Sequence, residues 1–543
     1  MPDMPSTPSS ILQAALDHAR SGNLAEAERL SERLLAQANV EAGARHLLGV
    51  IRNIQGRYAE AEPLLRQAIA EQPAIAKYHS NLGNALRGLE RLDEAEASYR
   101  TALALDPQFS DARANLANLL YAMQRWDETI AEYQQLIRSN PQDAASHASL
   151  AYLLQASNRM AEAEEVAAAG LTFEPDNPSL NLVLAICEGR AGKSELALRR
   201  LEAIDPAAMD IRVAATLHYE RGLLYDRLDR VEPAWAAFAE ANRLQAEDAR
   251  RRGVDKTRFT AELDRLAQMD VSWLQDLPAT PGEPAAPVFL VGFPRSGTTL
   301  LDQILDSHPR IQTLEEKPLV NILCDEIDKL GQDNPNGIEG LSPAQVGGLR
   351  RLYFEHVANL IDLRPGNLLI DKFPINIARI PCILRVFPDA RFILALRHPC
   401  DCVLSCYMHL FNPNDVMANF YTLEDTAALY ARVMGLWRRW AEALPLRHHR
   451  VYYEHLVQDL PGEIRPLLDF LGMEWHEEMA RPHEHAARRG FINTPSYFQV
   501  TQPIYQRASG RWRRYLPYLG AVMGTLQPYV EYFGYDSNGH DLS

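Results

Sequence analysis

A chain of 543 residues is too long for one ordinary hydrophobic core, so two or more domains are expected. Its formal net charge of -16 argues against a nucleic-acid partner, because duplex binding is driven by lysine and arginine on phosphates. No apolar run has the length of a membrane span, and the opening MPDMPSTPSS lacks the basic and apolar regions of a secretory leader, so a cytoplasmic protein is expected.

The first half is a repeat. Pro73, Pro107, Pro141 and Pro175 recur every 34 residues, and so do Leu48, Leu82, Leu116, Leu150 and Leu184. Gly49 and Gly83 continue as Ala117, Ala151 and Ala185. Ala27, Ala61, Ala95 and Ala163 hold the same period with Thr129 between them, and Arg57, Arg91, Arg125, Arg159 and Lys193 share another phase. The unit YHSNLGNALRGLERLDEAEASYRTALALDP (78–107) carries two helical apolar patterns broken between Gly88 and Arg91. This resembles the tetratricopeptide repeat, whose small residues let paired helices pack closely and whose units stack into a solenoid. About seven units are expected over 8–250, with Asn39 in the proline place of the first and the out-of-phase pair 219–244 closing the array. Such an array offers a surface for a protein or peptide; a spacer or homodimerisation scaffold is the competing reading. Pro278, Pro281, Pro284 and Pro287 then mark an extended end to a linker over 251–285.

From 286 to 535 the pattern changes. The apolar runs PVFLVG, NLLIDK, ARFILALR and RVYYEHL alternate with helical stretches, which predicts an α/β domain with a parallel sheet covered on both faces. Ligands of such sheets sit at the carboxyl ends of the strands, where Arg295, Lys372, Arg397 and Tyr453 fall. The first run leads into FPRSGTT, a glycine-bearing loop before an amphipathic helix, which is the grammar of a phosphate cradle. A nucleoside-triphosphate loop of the form G-x-x-x-x-G-K-[ST] needs a lysine where Thr298 stands. A phosphosulfate carries less charge, because its terminal sulfuryl is singly negative, and loop amides, hydroxyls and one arginine can hold it without a metal. Cys400, Cys402 and Cys406 crowd together without an opposing Cys-x-x-Cys pair, so buried thiols rather than a metal site are expected.

The segments FPRSGTTLLDQILDSHP, TLEEKP and RFILALRHPCDCVLSCY together resemble sulfotransferases that use 3′-phosphoadenosine 5′-phosphosulfate as co-substrate, and are most similar to their protein-tyrosine branch. The resemblance covers about 287–515 and implies a P-loop-like phosphosulfate-binding loop. Arg295, Ser296, Gly297, Thr298 and Thr299 would hold the 5′-phosphosulfate, Arg397 and Ser405 the 3′-phosphate, and Tyr453 the donor. The segment SYFQVTQPIYQRASGRW resembles the family's closing loop. There Ser496 would sit near the transferring group, and Arg511 stands where the family has a cofactor-binding lysine. His409 replaces a further 3′-phosphate arginine, giving a contact that is weaker or pH-dependent. Pro318 replaces an arginine that helps to bind the acceptor, which puts a tyrosine acceptor in doubt more than the chemistry.

Carried over, the resemblance makes Glu316 the general base, Lys372 the cation on the bridging oxygen of the leaving group, and Ser496 and Arg295 its assistants. The expectation is a sulfotransferase with tyrosine in a protein or peptide as acceptor, recruited by the repeats. The alternatives are a glycan or small-molecule acceptor, a nucleoside-triphosphate enzyme, or a repeat scaffold with a nucleotide-binding domain.

Overall fold

The computed structural model describes residues 7–36, 42–275, 284–331, 337–489 and 509–535. The chain divides into two compact units, Met1–Arg200 and Leu201–Ser543.

The N-terminal unit is all helical. Among the described residues its helices form six successive pairs, from Pro8–Arg20 with Leu24–Leu35 to Pro178–Arg190 with Ser194–Glu202. The sequence period becomes physical here. Ala27, Ala61, Ala95, Thr129 and Ala163 are fully buried, as small residues must be where two helices approach closely. Gly22, Gly56, Glu90, Gln124, Asn158 and Gly192, also 34 apart, all take the left-handed conformation that turns one helix into the next. The arginine column links neighbouring repeats: Arg91 reaches Glu62 at 2.8 Å and Glu94 at 2.6 Å, and Arg125 reaches Glu96 and Glu128, both at 2.6 Å. Exposed pairs of this kind contribute little each, and burial between repeats holds the array. Asn39 lies outside the described residues.

The C-terminal unit is built on a five-stranded, all-parallel sheet of β1 (Val288–Gly292), β2 (Ile311–Glu315), β3 (Leu368–Lys372), β4 (Arg391–Leu396) and β5 (Arg447–Tyr452), in the order β2-β3-β1-β4-β5. Alternate residues of β1 and β4 enter two separate cores. Phe289, Val291, Phe392 and Leu394 face one, and Val288, Leu290, Ile393 and Ala395 face the other. Burial on both faces explains why these strands read as unbroken apolar runs.

The division between units falls before the expected one. The pair Ile211–Arg227 and Val231–Arg251, and the helix Lys256–Leu266, belong to the C-terminal unit. Ala234, Phe238, Phe259 and Leu263 share a buried core with Phe289 and Phe392. Thus 211–251 shares a core with the sheet domain, and the first part of 251–285 is a packed helix. Loss of the 34-residue phase marks a change of packing partner. Asn242 donates to the Tyr407 carbonyl at 2.8 Å, Phe411 N donates to Gln245 at 3.2 Å, and Trp235 stacks on Tyr407 and Tyr518.

Candidate active site

Chain connections leave β1 and β4 in opposite directions, toward β2 and β5, so the crevice of the sheet opens at the carboxyl ends of β1 and β4. The FPRSGTT loop lies there. Gly292 is required because a Cβ would meet the Ala395 carbonyl of β4 at 2.7 Å. Gly297, with φ +96, is required because a Cβ would come within 2.7 Å of the Tyr453 ring. Arg295 also has positive φ, 68°, a cost that a loop shaped for a ligand can hold. The helix Thr298–Asp306 starts without a side-chain cap, and Thr298 and Thr299 are buried in its first turn. Ser296 Oγ is buried with no hydrogen-bond partner. An orphaned hydroxyl beside an uncapped helix N-terminus fits an anion of the phosphosulfate kind.

The residues matched to the 3′-phosphate are joined to this loop. Arg295 Nε donates to Ser405 Oγ at 3.1 Å, and Arg397 Nη1 donates to the Arg295 carbonyl at 3.1 Å. The Arg397 guanidinium lies 4.9 Å from the centre of the Tyr453 ring. Burial opposes the charge of Arg397, but Asp401, 4.0 Å away, leads the neighbours that hold its pKa above the ordinary value. Loop, arginine, serine and tyrosine are therefore one network. His409 differs from the expected pH-dependent contact. It is enclosed by Phe411 and by Tyr219, whose hydroxyl is 3.4 Å from Nδ1. Burial, and then the Arg295 charge, push its pKa well below the ordinary histidine range, so at neutral pH it brings no positive charge to an anion.

On the other side of β1 stand the two residues expected to do the chemistry. Lys372 ends β3 in register with Leu290, and its side chain is fully buried. Its Nζ donates to Glu316 Oε1 at 2.8 Å, and the Glu316 amide donates to the Lys372 carbonyl, also at 2.8 Å. Glu316 keeps 35% of its side chain exposed and has a φ of 43°, strained for a glutamate. Glu315 is occupied differently, accepting from Gln303 Nε2 at 2.9 Å. The pair is a buried cation holding a carboxylate that still reaches solvent.

Ser496 lies outside the described residues. Arg511 follows that segment, and its backbone is clamped: the Gly510 and Trp512 amides donate to Asp401 at 2.7 and 2.9 Å. Its guanidinium meets Asp226 at 3.0 Å. Trp512 stacks on His398 and is buried. Asp401, Asp226 and Tyr219 were missed by sequence reasoning. Asp401, four residues beyond Arg397 at the start of a helix, had a readable signal; the other two lie on a helix whose pattern shows only amphipathicity. Cys400, Cys402 and Cys406 are buried free thiols, and Cys406 faces the Pro294 carbonyl.

An all-parallel sheet with a glycine-bearing loop and an uncapped helix N-terminus at its switch point, and with buried cations at the ends of neighbouring strands, defines an α/β domain whose crevice suits an anion. Residues 287–477 match the family model described as "Sulfotransferase family", and tetratricopeptide-repeat models match 12–74, 54–110 and 86–153. The chain therefore carries tetratricopeptide repeats followed by a sulfotransferase domain. Among curated relatives, an uncharacterized protein of Aquifex aeolicus is 28% identical over 44% of this chain and 32% of its own length. Protein-tyrosine sulfotransferase 2 of Gallus gallus is 25% identical over 46% of this chain and 69% of its own. The chain thus spans about a third of the first of these relatives. Among solved structures, the sulfotransferase domain of the Synechococcus PCC 7002 olefin synthase is 25% identical, covering 48% of this chain and 98% of that one with a TM-score of 0.36.

Proposed function

We propose that the C-terminal domain transfers the sulfuryl group of 3′-phosphoadenosine 5′-phosphosulfate to an acceptor hydroxyl, with tyrosine in a protein or peptide as the acceptor and the repeat array as its recruiting surface. The observation that carries this reading is the contact of Lys372 with Glu316 at 2.8 Å, at the carboxyl ends of β3 and β2, with β3 paired to the strand that leads into the anion loop. A free tyrosine hydroxyl has a pKa of about 10, so a base is needed at neutral pH. In the step, the acceptor oxygen bonds to sulfur as the bond from sulfur to the bridging oxygen breaks. The electron pair stays on the 5′-phosphate, and the acceptor proton passes to Glu316. Taking that proton removes the charge that holds Lys372, which frees its ammonium for the oxygen where negative charge is growing. The Arg397–Ser405–Arg295 network would fix the nucleotide end and thereby align the transferring group.

Pro318 sits where the tyrosine branch has an acceptor-binding arginine, and it favours as second reading a glycan or small-molecule hydroxyl. No helix among the described residues is long and apolar enough to cross a membrane. A cytoplasmic setting is part of the proposal, supported by six cysteines that are all free thiols.

Calorimetric titration with adenosine 3′,5′-bisphosphate and with ATP tests the donor, and label transfer from the phosphosulfate to tyrosine peptides and to oligosaccharides tests the acceptor. The bisphosphate should bind at least about tenfold tighter than ATP, a difference of about 1.4 kcal/mol. Tighter binding of ATP would refute the donor assignment.

A further inference from the structure

The helix Ile211–Arg227 precedes the sheet domain, yet one of its faces is directed at the donor side of the crevice. Tyr219 and Asp226, seven residues apart and so on the same face, touch His409 and Arg511. Asp226 is 7% exposed and is surrounded by donors. Arg511 Nε donates at 3.3 Å with its Nη2 3.0 Å away as an ion pair, Arg514 Nη2 donates at 2.6 Å and the Tyr515 hydroxyl at 2.8 Å. Arg514 is shared with Asp229 at 2.6 Å, so Arg511 depends on Asp226 more than Arg514 does. On its other side the same short segment hangs from Asp401, which also faces Arg397. A chain of charge therefore runs from Arg397 through Asp401 and the 510–512 backbone to Arg511 and Asp226.

We propose that Asp226 is a positioning residue for donor binding: it aims the Arg511 guanidinium at the anionic donor and pins the segment 511–515 to the helix Ile211–Arg227, making that helix a wall of the donor site. The inference rests on the proposed function, which supplies the anionic donor. A long guanidinium side chain is recruited at little entropic cost when a carboxylate already holds it. Without that carboxylate, Arg511 would lose its carboxylate contact while facing Arg514, which keeps Asp229.

The test is a double-mutant cycle on the full-length protein, read as affinity for adenosine 3′,5′-bisphosphate by calorimetry. Asp226→Asn should weaken binding by about tenfold or more and raise KM for the phosphosulfate with little effect on kcat. In an Arg511→Ala background the same substitution should change affinity less than about twofold, because its route is already removed. Asp226→Glu, which keeps the carboxylate, should recover most of the loss, and it also serves if the asparagine variant fails to fold. Wild-type affinity in both Asp226 variants would overturn the inference, as would an undiminished loss in the Arg511→Ala background. Failure of the wild-type protein to bind the bisphosphate at all would instead overturn the proposed donor, and the inference with it.

Discussion

Asp371, the residue before the buried lysine of β3, offers a quantitative test of how this sheet is built. Its carboxyl is fully buried and accepts from the Tyr353 hydroxyl at 2.8 Å, and its other oxygen has no hydrogen-bond partner. Burial raises its pKa to about 7 from 3.8, with the Tyr353 bond opposing the shift. A carboxyl with a raised folded pKa stays protonated in the native state while the unfolded chain has already ionised. Native stability therefore falls as pH rises through the window from about 4 to about 7, and is flat on either side. At about 1.36 kcal/mol per pKa unit the whole effect is on the order of 4 kcal/mol. Asp371→Asn removes the titration and keeps an oxygen for Tyr353; the cost of burying its amide does not depend on pH. The stability gap between variant and wild type should therefore move in favour of the variant by about 2.5 kcal/mol between pH 5 and pH 8. Urea unfolding of the C-terminal unit at several pH values, followed through the fluorescence of Trp437 and Trp440, measures that gap. A gap that stays constant with pH would show that the carboxyl is not held neutral by burial.

Three further outcomes follow from the structure. A chain starting at residue 286 should be insoluble or unfolded, because it lacks Phe238, Phe259, Asn242 and Gln245, whereas one starting at 201 should fold and bind the bisphosphate; equal circular dichroism and melting of the two would refute the reassigned boundary. Arg397→Ala should weaken adenosine 3′,5′-bisphosphate binding at least about tenfold more than AMP binding, and equal losses would give Arg397 another role. Glu316→Gln should cut turnover by roughly 10² to 10⁴ at near-normal donor affinity, while Glu315→Gln, whose partner is Gln303, should cost far less; full turnover of Glu316→Gln with saturating acceptor would remove it as the base.

The repeat array was legible because each unit buries its apolar face against the next, so one set of packing demands recurs at one period. The arginine column is the instructive case. From the sequence it is only a phase; in the structure Arg57, Arg91 and Arg125 reach back to Glu28, Glu62 and Glu96 of the preceding repeat, Arg91 to Glu62 at 2.8 Å. Where the demand changed, the period was lost. The pair 211–251 kept its helical pattern, but its apolar stripe now meets the sheet domain, and amphipathicity alone does not say which core a stripe will enter.

The same distinction divides the site. Residues at strand ends could be placed from the sequence, because a parallel sheet fixes where its carboxyl edge lies, and Arg295, Lys372, Arg397 and Tyr453 all fall there. What supports them could not. Asp226 meets Arg511 across 285 positions of sequence, and nothing around it distinguishes it from an exposed helical acid. His409 shows the converse error: a histidine in an arginine's place reads as a weaker cation, but the aromatic walls of Tyr219 and Phe411 make it neutral. The charge lost at His409 leaves Arg295, Arg397 and Arg511 as the basic groups among the residues matched to the donor. Arg397 and Arg511 are held by buried aspartates, Asp401 and Asp226, so the donor site's electrostatics depend on residues that were not among those matched to the donor.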